Sequence, residues 1–446
     1  MNKNELSLNR RTFIKASSLA TGGLILPNWL QAQAHISGSD AIKIGVVGCG
    51  GRGTEAVVQA LSTAQNVQLV ALGDVFRDRL DSCLKKVRDK QYKNAAGESI
   101  TSAECVEVPE EHKFTGFDAY QKVIPLVDVV ILTTPPGFRP LHFEAAVAAG
   151  KHVFMEKPVA TDAPGVRRVL AAAEEAKRKQ LNVVVGLQRH YQTKYQEWVR
   201  RMHEGEIGEI RTAHVAWNSG GVWVKEREEG QSELAYQMRN WYYFNWICGD
   251  HITEQHIHNL DVGNWVMQSY PSQAYGMGGR HQRTGAKHGQ IYDHHFVEYQ
   301  YEDGRYMISQ CRHWRNTPSR VSVAFQGTKG SAPSPGTLMG ADGARLYKYR
   351  DRNPANPYQV EHDELFAAIA QGEYKYADAE NGAYATLTSI MGRMATYSGE
   401  IITWDQALNS ELSLVPDDLD WDSPAPLQPL ADGSYPIPGP GNGQAY

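Results

Sequence analysis

The chain reads as an α/β protein in which a doubly wound parallel sheet is followed by an α+β domain with an open, largely antiparallel sheet. Three observations carry this reading. An apolar strand pattern at residues 41–47 runs directly into Gly48-Cys49-Gly50-Gly51-Arg52-Gly53 and a helical stretch. Short apolar runs then alternate with helical segments as far as residue 185. Beyond that point strand-like segments follow one another, separated by turn residues.

The first strand and its loop form Gly-x-Gly-x-x-Gly in the setting that gives it meaning, strand before and helix after. Gly48 permits the tight turn, Gly50 lets backbone approach a pyrophosphate, and Gly53 lets the helix pack on the strand. Gly51 and Arg52 complete the loop at the helix terminus that faces the anion. A second strand at residues 67–72 ends at Gly73-Asp74, at the spacing where an acidic ribose ligand belongs. Asp74 would accept from the adenosine hydroxyls and repel a 2′-phosphate, which favours NAD over NADP; Arg77 is the nearby group that would accommodate that phosphate. Strands at 127–134 and 152–155 follow, ending in Thr134-Pro135-Pro136 and Glu156-Lys157-Pro158. Ligands of such sheets sit beyond the carboxyl ends of the strands, so Thr134, Pro135, Glu156 and Lys157 join the cofactor candidates. Residues 41–185 are thus assigned to a Rossmann domain.

A second domain is assigned to residues 186–405. Strands are expected at 209–217, 272–279, 295–301, 306–313 and 320–326, with Asp303-Gly304 as a hairpin signal. Ahead of the hairpins, Asp250 or Thr253 caps a helix running to about Met267. At 100° per residue Glu254, His258 and Asp261 fall within about 60° on one edge, beside a mostly apolar stripe. His251, His256 and His258 crowd the same segment, but His256 and His258 point about 160° apart on a helix, and no metal site is expected. Residues 217–246 are dense in aromatics, Trp241 among them, interleaved with Lys225, Arg227 and Arg239. Rings with charged neighbours suit sugars, although core packing accounts for most of them equally well. Arg189, His190 and Tyr191, after the strand at 183, are further substrate candidates. Residues 406–446 are read as an extended, Pro-rich arm over the body or a neighbouring subunit.

Taken together, residues 48–53, Glu156-Lys157-Pro158 and His258-Asn259-Leu260-Asp261 resemble the Gfo/Idh/MocA proteins, named for glucose-fructose oxidoreductase, inositol dehydrogenase and a rhizopine catabolism protein. The resemblance covers roughly residues 41–405. It implies a pyranose or other polyol held over a nicotinamide, with Lys157 beside the reacting hydroxyl and His258 as the base. Glu254 would orient or share that proton. It also implies that the second sheet serves substrate contact and subunit packing, hence a homo-oligomer. The family's usual Asp-x-Gly-x-His-x-x-Asp becomes Glu254-Gln255-His256-Ile257-His258-Asn259-Leu260-Asp261 here. An ammonium at a strand end lowers a hydroxyl pKa and stabilises the alkoxide that precedes hydride loss.

Composition narrows the classes. A formal charge of −5 leaves no basic footprint for nucleic acid, and 41% apolar content is ordinary for a globular chain. The five cysteines are scattered, which reads as isolated buried thiols, with one disulfide as the alternative. Arg10-Arg11 precede an apolar stretch and Ala32-Gln33-Ala34, which looks like a twin-arginine export signal over residues 1–34. Its apolar part, with Gly22-Gly23, is shorter than the roughly 20 residues of a membrane span, and no other segment is apolar enough. The expectation is an exported oxidoreductase with tightly held NAD acting on a sugar or glycoside hydroxyl. The alternative is an NAD-dependent glycoside hydrolase or lyase using transient oxidation, elimination and hydride return, with Tyr191 or His190 as the extra base. A binding module without catalysis would need neither Lys157 nor His258.

Overall fold

The computed structural model describes residues 41–93, 96–416 and 418–441; the leader with Arg10 and Arg11 lies outside them. Six parallel strands form the first sheet: β1 (Ile42–Val47), β2 (Val67–Asp74), β3 (Lys113–Thr115), β4 (Val129–Leu132), β5 (His152–Met155) and β6 (Val183–Val185). Their order is β3-β2-β1-β4-β5-β6. The chain therefore builds outward from β1 on one side, then crosses to β4 and builds outward on the other. The crevice at this reversal, between the ends of β1 and β4, is where a doubly wound sheet takes its ligand. Near-continuous apolar strands are required because helices cover both faces; Ile44, Val46, Leu69, Leu72 and Ile131 are wholly buried.

Nine strands form the second sheet: β7 (Ile210–Ser219), β8 (Gln273–Gly279), β9 (His294–Gln300), β10 (Tyr306–His313), β11 (Arg320–Gly327), β12 (Gly330–Ser334), β13 (Thr337–Gly340), β14 (Arg345–Lys348) and β15 (Ile402–Thr403). The order is β14-β13-β12-β11-β7-β10-β9-β8-β15, antiparallel throughout except where β7 pairs β10. The alternating strands match the sequence reading closely. The added edge strands β12 to β14 are short and rich in Gly, Ser and Pro, which is why no periodicity announced them. The helix Ala379–Ser398 lies between this sheet and the helix Ala163–Arg178, joining the two domains through one buried stripe.

Three features differ from expectation. Helix Pro357–Ala370 returns to the first domain, where Leu365, Phe366 and Ile369 share a core with β1, β2 and β4 and His362 lies 4.1 Å from the Phe154 ring. The single helix expected over 250–267 is two, His251–Glu254 and Ile257–Met267. Side chains at the joint are drawn to the sheet instead: His256 Nε2 meets Ser309 Oγ at 2.9 Å, and His313 Nε2 meets Gln255 Oε1 at 2.9 Å. The C-terminal arm begins after the helix Trp404–Asn409 and lies over the body of the chain, with Trp421 against Phe76 and Phe117 and with Tyr435 against Phe244. Among the described residues no helix is long and apolar enough to cross a membrane, and all five cysteines are free and buried.

Burial holds the His142 and His362 imidazoles down at about 3 each, aided by the charges of Arg139 and Arg52 respectively. Both stay neutral when folded, yet in the unfolded chain they protonate below about 6.5. Their contribution is complete above that pH and is lost as the pH falls toward 3, by about 1.4 kcal/mol per unit for each group. Urea midpoints should therefore be flat down to about pH 6.5 and fall steeply below it, and a His362→Phe chain should show a shallower fall.

Candidate active site

A cleft of about 690 Å³ opens at the crevice between β1 and β4 and is roofed by the second domain. Its floor is the glycine loop. Gly48 takes φ +100°, and a Cβ on Gly53 would stand 1.9 Å from the Gly48 carbonyl, so both positions require glycine. Gly50 and Gly51 differ, since a Cβ there would meet nothing within 4 Å. That open space above a helix terminus is a cradle into which a pyrophosphate fits. Arg52 turns back to Glu156 (Nε to Oε1, 2.5 Å) and lies over the Tyr358 ring at 4.8 Å, fastening the loop to β5 and to the returning helix.

Asp74 closes one end of the cleft. Its Oδ2 accepts from the Cys49 N–H at 2.7 Å and its Oδ1 from the Phe76 N–H at 2.9 Å, and burial pushes its pKa up. Each oxygen keeps a lone pair for a ribose hydroxyl. Arg77 is turned away, paired with Asp81 and Glu110, so the phosphate-accommodating position considered for it is not realised. Arg79 and Arg239 stand on the cleft wall instead. Thr134, Pro135, Glu156 and Lys157 all line the cleft from the ends of β4 and β5.

At the other end three candidates meet. Lys157 Nζ donates to the Glu254 carbonyl at 2.7 Å and approaches Glu254 Oε1 at 3.3 Å. His258 faces the same space with its Nδ1 unpartnered. Burial, and then the charges of Lys157, Arg189 and Arg52, hold its pKa well below the ordinary histidine range. The imidazole is therefore neutral. Trp223, Lys225 and Trp241 form the facing wall, the two indoles 5.7 Å apart edge to face.

Four substrate candidates are placed elsewhere, a correction to the sequence reading. Arg189 is buried and donates to the His258 carbonyl at 2.9 Å and to Asn259 Oδ1, bracing the helix from behind. His190 Nε2 meets Asp261 Oδ2 at 2.8 Å, Asp261 Oδ1 accepts from Asn381, and the Tyr191 hydroxyl donates to Asp378 at 2.6 Å. The cause is local: residues 188–191 form a 3₁₀ turn that directs these side chains into the domain, and Asp261, one turn beyond His258 on the helix Ile257–Met267, is taken up by His190 and Asn381 instead of the cleft. Sequence reading also passed over groups that complete the cleft. Buried Arg139 binds the Thr134 and Pro158 carbonyls, tying together the two strand ends. Tyr358 and Glu361 arrive on the returning helix, and no local motif marks any of them.

The fold and cleft define a two-domain, dinucleotide-binding α/β protein. Family models agree: residues 42–186 match the "Oxidoreductase family, NAD-binding Rossmann fold" and residues 195–332 the "GFO/IDH/MocA C-terminal domain", so the chain belongs to the Gfo/Idh/MocA family. It is 31% identical over 230 residues to an inositol 2-dehydrogenase of Pseudomonas fluorescens, a stretch covering 51% of this chain and 55% of that protein. The chain thus spans about half the length of that relative. An inositol 2-dehydrogenase of Agrobacterium fabrum is 25% identical over 357 residues, 78% of this chain and 92% of that one. Among solved structures, scyllo-inositol dehydrogenase from Lactobacillus casei with bound NAD(H) and scyllo-inositol shares the fold, with TM-score 0.59, 20% identity, and 82% and 100% of the two chains covered.

If Asp74 holds the ribose, its replacement by Ala removes a charge-assisted pair worth roughly 1.5–3 kcal/mol. Calorimetric NAD affinity should fall on the order of 10- to 100-fold in that variant, whereas Arg77→Ala should leave it unchanged.

Proposed function

We propose that the protein oxidises a secondary hydroxyl of a sugar, sugar alcohol or glycoside. The observation that carries this is a neutral, buried His258 beside the Lys157 ammonium, which Glu254 fixes at the end of the glycine-loop cleft. When bound, NAD supplies the hydride acceptor; Asp74, the 48–53 loop and Thr134 are placed to hold it. Lys157 Nζ binds the substrate hydroxyl oxygen and stabilises the alkoxide, His258 takes the hydroxyl proton, and Glu254 keeps the ammonium aimed. Trp223 and Trp241 offer faces for the C–H side of a ring and Lys225 a donor for its hydroxyls. The inositol dehydrogenase relatives support a polyol substrate.

Two further elements belong to this reading. The Arg10-Arg11 leader supports export by the twin-arginine route, where a resident, internally recycled cofactor suits a compartment poor in free NAD. The exposed apolar residues on β8, Tyr275 and Met277 (51% and 60% exposed), support self-association through the second sheet.

The test is to purify the protein without added cofactor, measure the nicotinamide it carries, and offer inositols, aldoses and glycosides while following the reduced-nicotinamide absorbance. Lasting reduction with an equal yield of ketone is expected, and Lys157→Ala and His258→Ala should each lower kcat by about 10²- to 10⁴-fold with NAD affinity retained. A transient signal with release of aglycone would assign the site to elimination chemistry, and full turnover in either variant would refute the roles of Lys157 and His258.

A further inference from the structure

Immediately before the short helix that carries Glu254 stands a residue the proposed chemistry does not use. Asp250 takes φ 71° and ψ 162°, a region that costs a residue with a side chain on the order of 1–3 kcal/mol and survives only where the surroundings enforce it. Its carboxylate is wholly buried. Oδ2 accepts from the Tyr397 hydroxyl at 2.6 Å and the Tyr292 N–H at 2.9 Å. Oδ1 accepts from the His251 N–H and faces two imidazoles, His295 Nε2 at 3.2 Å and His251 Nδ1 at 3.6 Å. Both rings are buried as well, and Cys311 Sγ stands 3.7 Å from His251 Nδ1.

Among the described residues no lysine or arginine pairs with Asp250. Hydrogen bonds from Tyr397, Tyr292 and the His251 N–H relieve part of the cost of burying this carboxylate, and a charge at the two imidazoles, as an imidazolium or a metal ion, would relieve the rest. The geometry also admits a metal ion. His295 Nδ1 is engaged by Thr396 Oγ1 at 2.9 Å, leaving Nε2 aimed at Asp250 but making no aligned hydrogen bond. Three potential ligand atoms lie within 4.8 Å of one another. Ligand bonds of about 2.0–2.2 Å in a tetrahedral site need edges of roughly 3.4 Å between ligands; the two edges to Asp250, 3.2 and 3.6 Å, flank that value, and the edge between the imidazoles lies within 4.8 Å.

We propose that Asp250, His251 and His295 bind one divalent transition-metal ion of the zinc type, with Cys311 as a soft donor on its flank. The site is structural and lies outside the cleft. Asp250 and His251 precede Glu254, whereas His295 and Cys311 belong to β9 and β10, so the ion fastens the segment that positions Glu254 and His258 to the second sheet. Helix periodicity could not reveal it, because His295 is supplied by a strand.

The test is the metal content of the full-length protein, expressed with zinc, manganese and iron supplied together and then dialysed. One zinc per chain is expected, lost to a strong chelator with a fall in thermal midpoint and restored by zinc alone. Asp250→Asn and His295→Ala should lose the ion, while exposed His214→Ala should keep it. Should the ligand variants fail to fold, cobalt substitution of the wild-type protein decides, since a tetrahedral visible spectrum is expected. Substoichiometric metal in the wild type with a midpoint indifferent to chelator, or metal that persists in both ligand variants, overturns the proposal and assigns the cluster to an imidazolium–carboxylate pair.

Discussion

The contact on which the cleft depends is the one from Lys157 Nζ to Glu254, because it joins a strand end of the first domain to the broken helix of the second. Half of it is a bond to a main-chain carbonyl at 2.7 Å. A helix continuous through residues 250–267 would engage that carbonyl internally; ending the first helix at Glu254 leaves it open to the ammonium. The break therefore does two things at once. It provides the acceptor that fixes Lys157, and it turns His258 to face the same space.

Irregular backbone surrounds this contact, and buried arginines hold it in place. Arg139 binds the carbonyls after β4 and β5, Arg189 binds the His258 carbonyl, Arg393 binds those of Gly249 and Thr161, and Arg283 binds those of His313 and Gly220. A planar guanidinium satisfies several carbonyls from one fixed geometry, which suits turns whose acceptors have no ladder partner. Desolvation opposes the charge, and burial brings Arg139 down to about 10, still charged at neutral pH. These groups cost stability as isolated charges and repay it by leaving few carbonyls unpaired near the site.

What the sequence made legible follows from how local each signal is. The glycine loop and Asp74 were readable because turn, helix terminus and strand end are fixed within a short stretch. The strands of the second sheet were readable because one face is buried and their side chains alternate. The turning inward of Arg189, His190 and Tyr191 was not, since it depends on Asp261, Asp378 and Asn259, which reach them only through the fold. The helix break was hidden for a related reason: residues 250–267 keep an acceptable 3.6-residue pattern, while the forces that interrupt it come from Ser309 and His313 on a distant strand. Helix Pro357–Ala370 supplies Tyr358 and Glu361 to a loop some three hundred positions earlier, a relation no window of sequence contains.

The adenosine-side end of the cleft shows which kind of interaction governs its closure. Arg239 of the second domain bonds Asp78 of the first at 2.8 and 2.6 Å, and its guanidinium lies 3.6 Å over Phe76. Asp78 is exposed, so the ion pair contributes about 1 kcal/mol at most and weakens with salt. On the same ring sits Trp421 of the arm, 5.3 Å from Phe76 and 4.9 Å from Phe117, with 38% of its surface still exposed. Covering part of an indole contributes roughly 1.5–3 kcal/mol before the entropy of ordering the arm. The aromatic contact is thus at least comparable with the ion pair and insensitive to salt, and the arm, with no helix or strand among its described residues, adds a second restraint beside that end of the cleft.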